Sequence, residues 1–231
     1  KLKEENVLVD IKKHVHQVGH GDRSKAVIEP MVSKQWFLNI EEMASTAVKA
    51  VELNISCPNV EDRGKMFSHT PVSTYEVVQA TSQIKAPRWA KLSPNVTNLV
   101  EIANAAKEAG ADGVTLINTV MGMVIDIDKR RPLLGAGGGG LSGPAIRPVA
   151  IRSVFDVYSA MPDFPIVGVG GVASAKDVIE FLMAGASAVQ IGSANFANPR
   201  VSSKIITDLA RWCKGNDYES IDAIKGLAHT S

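Results

Sequence analysis

The feature that most constrains the fold is a regular alternation of short β-rich runs with helix-periodic segments, which begins at residue 51 and continues to the end of the chain. Apolar and β-branched runs predict five strands, at residues 51–56, 89–93, 113–118, 165–170 and 188–192. Helical periodicity predicts helices at residues 99–109, 144–160, 174–184 and 205–214. Strands that alternate with helices must be parallel and covered by those helices. The sequence therefore predicts an α/β fold.

The ends of the predicted strands favour one architecture. Each strand ends in polar or glycine residues, which is typical of a (β/α)8 barrel, where the chemistry gathers at the carboxyl ends of the strands. A doubly wound sheet also alternates strands and helices, but its Gly-x-Gly-x-x-Gly fingerprint does not follow the first strand. Five strands cannot close a barrel of eight. We therefore predict an incomplete (β/α)8 TIM barrel of about five C-terminal βα units.

Composition argues against several classes of function. The 231 residues carry a net charge of +1, which gives no electrostatic reason to expect nucleic acid or a membrane surface as a partner. No apolar run approaches the roughly 20 residues that a membrane-spanning helix needs, and no signal peptide is recognisable. The two cysteines, Cys57 and Cys213, lie far apart in unlike contexts, which favours neither a disulfide nor a zinc site. We expect a cytoplasmic protein, with Cys213 serving only in packing.

The first 48 residues differ in character from the rest. They contain a Glu-Pro…Ser-x-Gln-Trp-Phe core that ends at Phe37. Over roughly residues 15–47 this segment resembles the stretch of valyl-tRNA synthetases that returns the chain from the editing domain to the catalytic domain. The nucleotide-binding motifs of that family are absent, so we expect no aminoacylation. The sequence thus predicts a synthetase-like fragment at 1–48, which is not a complete domain, and part of a barrel at 49–231.

The first motif with chemical content is Asn54-Ile-Ser-Cys57-Pro-Asn59, directly after the first predicted strand. Side-chain amides both donate and accept hydrogen bonds, which suits a ligand with fixed donors and acceptors, and a thiolate can act as a base. The motif resembles the Asn-x-Ser-Cys-Pro-Asn loop of class 1 dihydroorotate dehydrogenases, and the resemblance extends over about residues 51–228. Taken alone, the same residues would indicate a buried cysteine beside a capped turn.

The resemblance implies that the chain oxidises (S)-dihydroorotate to orotate in the de novo synthesis of UMP, with FMN as the cofactor. This reaction removes a proton from C5 and a hydride from C6, so a base must stand within hydrogen-bond reach of C5, opposite the flavin. The resemblance gives that role to Cys57. It gives substrate contacts to Asn54 and Asn59, and a flavin contact to Asn54 as well.

Further motifs follow the second and third strands. Lys91 opens the string Lys-Leu-Ser-Pro-Asn, and a lysine that points into a barrel is costly unless an anion meets it. The resemblance places Lys91 beside the pyrimidine ring of FMN, where reduction builds up negative charge. An exposed lysine at a strand end is the alternative. By the same resemblance, Asn118 and Thr119 hold orotate, and Ile117 contacts FMN.

Glycine turns complete the predicted cofactor site. Gly143 lies in the string Gly-Gly-Leu-Ser-Gly-Pro and matches a family glycine that lies against FMN. Gly170-Gly171 and Gly192-Ser193 follow the last two strands, where barrels hold the phosphate of a cofactor on backbone N–H groups. Taken alone, such turns indicate either FMN or a sugar phosphate.

The strings Lys-Leu-Ser-Pro-Asn-Val-Thr and Leu-Ile-Asn-Thr-Val-Met-Gly-Met resemble the type B members of this family. That resemblance implies a homodimeric catalytic core within a heterotetramer, paired with a subunit that carries FAD and a [2Fe-2S] cluster and passes electrons to NAD. The chain has no cysteine cluster for such a centre, so a separate subunit would have to supply it.

The resemblance has one large departure. The first three βα units of the family have no counterpart before Val51, where the synthetase-like segment stands instead. We therefore interpret the chain as a chimera with a truncated barrel, and we expect little or no dehydrogenase activity from it alone. Two alternatives stay open: another FMN barrel, such as a relative of dihydropyrimidine dehydrogenase, and an inactive product without a cofactor.

Overall fold

The computed structural model describes residues 49–56 and 67–230. The synthetase-like segment at 1–48 and the predicted site residues Cys57 and Asn59 lie outside the described residues. The described part falls into two compact units: Met123–Gly139 belong to one, and residues 49–56, 67–122 and 140–230 to the other. Within this part, no helix is long and apolar enough to cross a membrane, and no group of three or more His, Cys, Asp or Glu side chains could hold a metal ion.

The described residues form nine strands, six α-helices and four short 3-10 helices. The strands are β1 (Val51–Asn54), β2 (Arg88–Leu92), β3 (Gly113–Leu116), β4 (Val120–Gly122), β5 (Ile125–Asp126), β6 (Arg131–Pro132), β7 (Gly139–Leu141), β8 (Ile166–Val169) and β9 (Ala188–Gln190). The α-helices are α1 (Pro71–Gln79), α2 (Leu99–Glu108), α3 (Arg147–Ala160), α4 (Ala175–Met183), α5 (Ala194–Ala197) and α6 (Val201–Gly215). The 3-10 helices are Phe67–His69, Pro144–Ile146, Ile221–Ile224 and Leu227–His229.

The larger unit is built on a five-stranded parallel sheet with the strand order β1-β2-β3-β8-β9. All five predicted strands are present, and their parallel pairing confirms the predicted α/β class. β3 is buried along its whole length, as expected for a central strand of a parallel sheet. Consecutive helices contact one another, α1 with α2, α2 with α3, and α3 with α4. The βα units therefore lie side by side in chain order.

The two faces of this sheet differ because successive side chains of a strand point to opposite faces. One face carries fully buried apolar residues of the core, among them Ala90, Leu92, Val114, Leu116 and Ile166. The opposite face carries the carboxylate of Glu52, which accepts hydrogen bonds from the side chains of Lys91, Thr115 and Gln190. Lys91 on this polar face also lines the candidate active site.

Local signals in the sequence explain where α4 begins and ends. Ser174 and Asp177 form a capping box: Ser174 Oγ accepts from the N–H of Asp177 at 3.3 Å, and the Asp177 carboxylate accepts from the N–H of Ser174 at 2.9 Å. The predicted end of this helix at Gly185 is a Schellman motif, because the N–H groups of Gly185 and Ala186 donate to carbonyls of its last turn. The cap holds the start of α4 against the loop that follows β8.

Several elements were not predicted from the sequence: α1, the four short strands β4 to β7, α5 and the 3-10 helices at residues 67–69, 221–224 and 227–229. Helix α1 begins at Pro71 after Thr70, a helix-start signal. Its periodicity is weak, since only Thr74 and Val78 are buried. In the smaller unit, β5 pairs with β6 in antiparallel fashion. The segment between β3 and α3, where no strand was predicted, therefore contains a hairpin.

Candidate active site

The carboxyl ends of the five parallel strands meet at one edge of the sheet, because parallel strands share a direction. Apart from Gly143, which follows β7, the predicted site residues that the structure describes lie at or just beyond these ends: Asn54 on β1, Lys91 on β2, Ile117, Asn118 and Thr119 after β3, Gly170 and Gly171 after β8, and Gly192 and Ser193 after β9. The loop after β1 continues into Cys57 and Asn59, which are outside the described residues. The sheet thus gathers residues from five separate segments of the chain at one edge.

The loops after β1 and β3 are joined through the amide of Asn118. Its Nδ2 donates to Ser56 Oγ at 2.8 Å, to Asn54 Oδ1 at 3.2 Å and to Ser56 O at 3.3 Å. Its Oδ1 accepts from the N–H of Thr119 at 2.8 Å. Because both ends of the amide have partners, its orientation is fixed, and Ser56, the residue before Cys57, is buried beneath it.

A second amide, from Asn95, joins the loops after β2 and β3. Its Nδ2 donates to Ser93 Oγ at 2.9 Å and to Thr119 O at 3.0 Å, and its Oδ1 accepts from the N–H of Met121 at 2.9 Å. The backbone of Thr119 is therefore held from both sides, by Asn118 and by Asn95. Sequence reasoning assigned no role to Asn95; its position in a Ser-Pro-Asn turn after a strand was the only signal.

Lys91 lies on the polar face of the sheet and forms an ion pair with Glu52, Nζ to Oε1 at 3.1 Å. The other carboxylate oxygen of Glu52 accepts from Thr115 Oγ1 at 2.8 Å and from Gln190 Nε2 at 2.9 Å. Partial burial raises the pKa of Glu52, but the hydrogen bonds from Gln190, Thr115 and Lys91, together with the lysine charge, outweigh it and hold the pKa below its ordinary value. Glu52 is a second residue that sequence reasoning missed.

Two connected recesses open at this edge of the sheet. A cavity of about 400 Å³ lies between the loops after β8 and β9 and the turn at Gly143, a volume within the range of small-molecule sites. A smaller recess of about 130 Å³ shares several of its walls. The smaller recess is lined by most of the predicted site residues, namely Lys91, Ile117, Asn118, Thr119, Gly143, Gly170, Gly171, Gly192 and Ser193.

The backbone around the larger cavity forms a cradle, and at Gly171 this cradle has no room for a side chain. Gly171 has φ +74°, and a Cβ there would lie 2.7 Å from Gly143 O. The N–H groups of Gly171, Gly192 and Ser193 donate to no backbone oxygen of the described residues, and the space beside Gly192 is open. Backbone N–H groups around such a concavity suit an anion. The residues present therefore fit the phosphate of a nucleotide cofactor.

An ion-pair cluster ties the two loops of this cradle together. The buried carboxylate of Asp177 accepts from the N–H of Ala173 at 2.9 Å and pairs with the guanidinium of Arg147. Arg147 Nε also lies 3.2 Å from Glu180 Oε2. Because Arg147 comes directly after the turn that begins at Gly143, this cluster fixes that turn against the loop after β8. The Ser-x-x-Asp pattern at the start of α4 was the sequence signal for Asp177.

The chain is similar in sequence to proteins of one known family. The family model described as "Dihydroorotate dehydrogenase" matches residues 22–212, a range that begins within the synthetase-like segment. A dihydroorotate dehydrogenase B (NAD(+)) catalytic subunit of Desulforudis audaxviator is 48% identical over 183 residues, 79% of this chain and 59% of the relative. The protein of the same name from Anoxybacillus flavithermus is 53% identical over 163 residues, 70% of this chain and 52% of the relative. The chain therefore spans somewhat more than half the length of these relatives.

A solved structure supports the fold. The crystal structure of a ligand-free dihydroorotate dehydrogenase from Eimeria tenella superposes with a TM-score of 0.66 at 20% identity, covering 80% of this chain and 56% of that one. At this identity the likeness bears on the fold alone. Together with the family match and the parallel sheet, it confirms the predicted α/β TIM-barrel fold, part of which these residues form.

Proposed function

The chain belongs to the dihydroorotate dehydrogenase family, and on that premise we propose that it forms the flavin- and substrate-binding part of an enzyme that oxidises (S)-dihydroorotate to orotate in pyrimidine biosynthesis. One observation carries the proposal: Lys91, Asn118, Thr119 and the glycine turns line a single recess at the carboxyl edge of the sheet. Side-chain amides suit the hydrogen-bonding groups of a pyrimidine, and a cation suits a reduced flavin. Backbone N–H groups at the glycine turns suit a phosphate.

FMN is the cofactor in this proposal, and when bound it accepts the hydride from C6 of the substrate. Its phosphate would rest on the N–H groups of Gly170-Gly171 and Gly192-Ser193. Its ring system would lie against Gly143, Ile117 and Asn54. Lys91 would stand beside its pyrimidine end, where a fixed positive charge favours the reduced form. The N–H groups of Gly171, Gly192 and Ser193, which have no backbone acceptor among the described residues, and the open space beside Gly192 support this assignment.

The substrate would be held by side-chain amides in the loops after β1 and β3. Asn118 is already oriented by its bonds to Ser56 and Thr119, so its ordering cost on binding is small. Asn54, Asn59 and Thr119 would complete the contacts to the pyrimidine edge and its carboxylate. Such a set discriminates well, since a ligand that lacks a matching group leaves buried polar atoms unpaired.

Cys57 would be the base that takes the proton from C5. It follows Ser56, which the amide of Asn118 holds in place, so the cysteine loop starts from a fixed point. Proton removal by the thiolate and hydride loss at C6 occur on opposite faces of the pyrimidine ring.

The partner in this proposal is an electron-transfer subunit with FAD and a [2Fe-2S] cluster that reduces NAD, around a homodimeric core of catalytic subunits. The support is the name of the relatives, which describes a catalytic subunit and NAD(+). Co-purification of the chain with such a subunit, read by iron and FAD content, would test this part separately.

The proposed activity is tested by exchange. Residues 49–231 replace the matching segment of the Anoxybacillus flavithermus relative, and oxidation of dihydroorotate is measured with an artificial electron acceptor. We expect turnover comparable to that of the unaltered relative, with FMN retained. A folded exchange protein that retains FMN but does not oxidise dihydroorotate would contradict the proposal.

A further inference from the structure

The polar face of the sheet carries one carboxylate that the proposed reaction does not use, that of Glu52. Its Oε1 accepts from Lys91 Nζ at 3.1 Å, and its Oε2 accepts from Thr115 Oγ1 at 2.8 Å and from Gln190 Nε2 at 2.9 Å. These four residues come from β1, β2, β3 and β9, so a single carboxylate connects four of the five strands. Glu52 is therefore the centre of the network.

The position of this network relates it to the recess. In the register of the sheet, Lys91 pairs with Asn54, and Thr115 pairs with Lys91. Glu52 lies two residues before Asn54 on the same face, or about 7 Å closer to the amino end of the sheet at 3.3 Å per residue. Lys91 also lines the smaller recess. The Lys91 side chain thus connects the recess with the Glu52 carboxylate, which lies closer to the amino end of the sheet.

Glu52 cannot follow Lys91 if the lysine moves, because its second oxygen is held by two other strands. Thr115 is fully buried, which leaves its hydroxyl little freedom. A flexible lysine is therefore tied to a carboxylate that is itself fixed, and a group held in this way by a supporting shell keeps its geometry. Partial burial of the Glu52 carboxylate costs free energy that an apolar residue at the same position would not cost.

We propose that Glu52 is a positioning residue: it holds the Lys91 ammonium at the floor of the recess and sets the net charge that a bound flavin meets. The proposal rests on the function proposed above. With the carboxylate in place, part of the field of the ammonium is cancelled. Without it, the released ammonium moves toward the negatively charged reduced flavin, its full positive charge acts there, and the reduced form is favoured.

The test uses the full 231-residue chain and the variant Glu52→Gln, which keeps the shape and removes the charge. Glu76→Gln is the matched control, because Glu76 is an exposed glutamate on α1. The first readout needs no flavin: acylation of Lys91 by an amine-reactive reagent, measured by peptide mass spectrometry. We expect faster labelling of Lys91 in Glu52→Gln and no change in Glu76→Gln. A milder variant, Gln190→Leu, should give a smaller increase, and it keeps the test available if Glu52→Gln folds poorly.

The second readout is the midpoint potential of FMN added to saturation. Glu52→Gln should raise the preference for reduced over oxidised flavin about tenfold, which is about 30 mV for a two-electron couple, while Glu76→Gln leaves the potential unchanged. A lower melting temperature with an unchanged potential would reduce Glu52 to a structural role and overturn the proposal. Unchanged labelling of Lys91 would also overturn it. Failure of the unaltered chain to bind FMN would count against the proposed function, whereas the labelling result still decides whether Glu52 holds Lys91.

Discussion

Replacing Gly171 with valine should abolish tight FMN binding while leaving the sheet intact. Gly171 has φ +74°, in the left-handed region, and its backbone closely approaches the turn that begins at Gly143. A Cβ at this position would lie 2.7 Å from Gly143 O and 3.0 Å from Pro144 Cα and Arg147 Cβ. The neighbouring atoms are backbone or the base of a side chain tied by ion pairs, so they cannot move aside easily. The loop after β8 must shift instead.

The size of the effect follows from these contacts. A residue with a Cβ in the left-handed region costs roughly 1–2 kcal/mol, and the close contacts push the loop away from the cradle. If the shift removes two hydrogen bonds to a charged phosphate, at roughly 1.5–3 kcal/mol each, FMN binding weakens by about 3–6 kcal/mol. That corresponds to an increase in Kd of about a hundredfold to ten-thousandfold, since 1.4 kcal/mol is tenfold.

The assay is a fluorescence titration with FMN and, in parallel, with riboflavin, which has the same ring system but no phosphate. We expect Gly171→Val to weaken FMN binding and to change riboflavin binding little. Gly215→Ala is the control, because a Cβ at the end of α6 meets nothing within 4 Å. Unchanged FMN affinity, or an equal loss for FMN and riboflavin, would show that the phosphate does not rest on this loop.

Three further predictions concern the site. In the exchange protein, Cys57→Ala should lower dihydroorotate turnover about 10²- to 10⁴-fold, the range of a lost general base, while FMN is retained. Cys213→Ala is the control for loss of a thiol. Unchanged turnover in Cys57→Ala would rule out Cys57 as the base. Asn95→Leu loses three hydrogen bonds at roughly 0.5–1.5 kcal/mol each, so urea titration should show about 1.5–4.5 kcal/mol of lost stability. The control Asn104→Leu should lose much less, because its exposed amide donates only one hydrogen bond, to Glu108. The pKa of Glu52 is held below its ordinary value of 4.5 in the folded chain, so its contribution to stability is present above pH 4.5 and is lost as the pH falls further. Glu52→Gln should therefore flatten the dependence of the unfolding free energy on pH below 4.5. An unaltered dependence would contradict the lowered pKa.

The strands and most helices could be predicted because their signals are local. Apolar and β-branched runs mark the five strands, and Gly110 and Gly185 mark the ends of α2 and α4. The predicted strands extend one or two residues too far, to Asn118 in the case of β3. Beyond Leu116 the chain leaves the ladder to form the site loop, and composition alone does not reveal that change.

The residues that sequence reasoning missed act through partners that are distant in the chain. Glu52 is 138 residues from Gln190, with which it shares a hydrogen bond, and nothing in a strand pattern identifies such a partner. Asn95 joins two loops that are neighbours only because β2 and β3 pair in parallel register. Lys91 was expected to require an anion, and the structure supplies one from the protein itself, which the sequence did not indicate.

The most direct measurement of the proposed activity is anaerobic mixing of the FMN-loaded exchange protein with a single substrate, followed by the loss of flavin absorbance in one turnover. Dihydroorotate and dihydrouracil are compared, since they differ in the carboxylate and separate the proposed activity from that of a dihydropyrimidine dehydrogenase relative. We predict that dihydroorotate bleaches the flavin and that dihydrouracil does not. Bleaching by dihydrouracil, or by neither compound, would contradict the assignment of this chain to dihydroorotate oxidation.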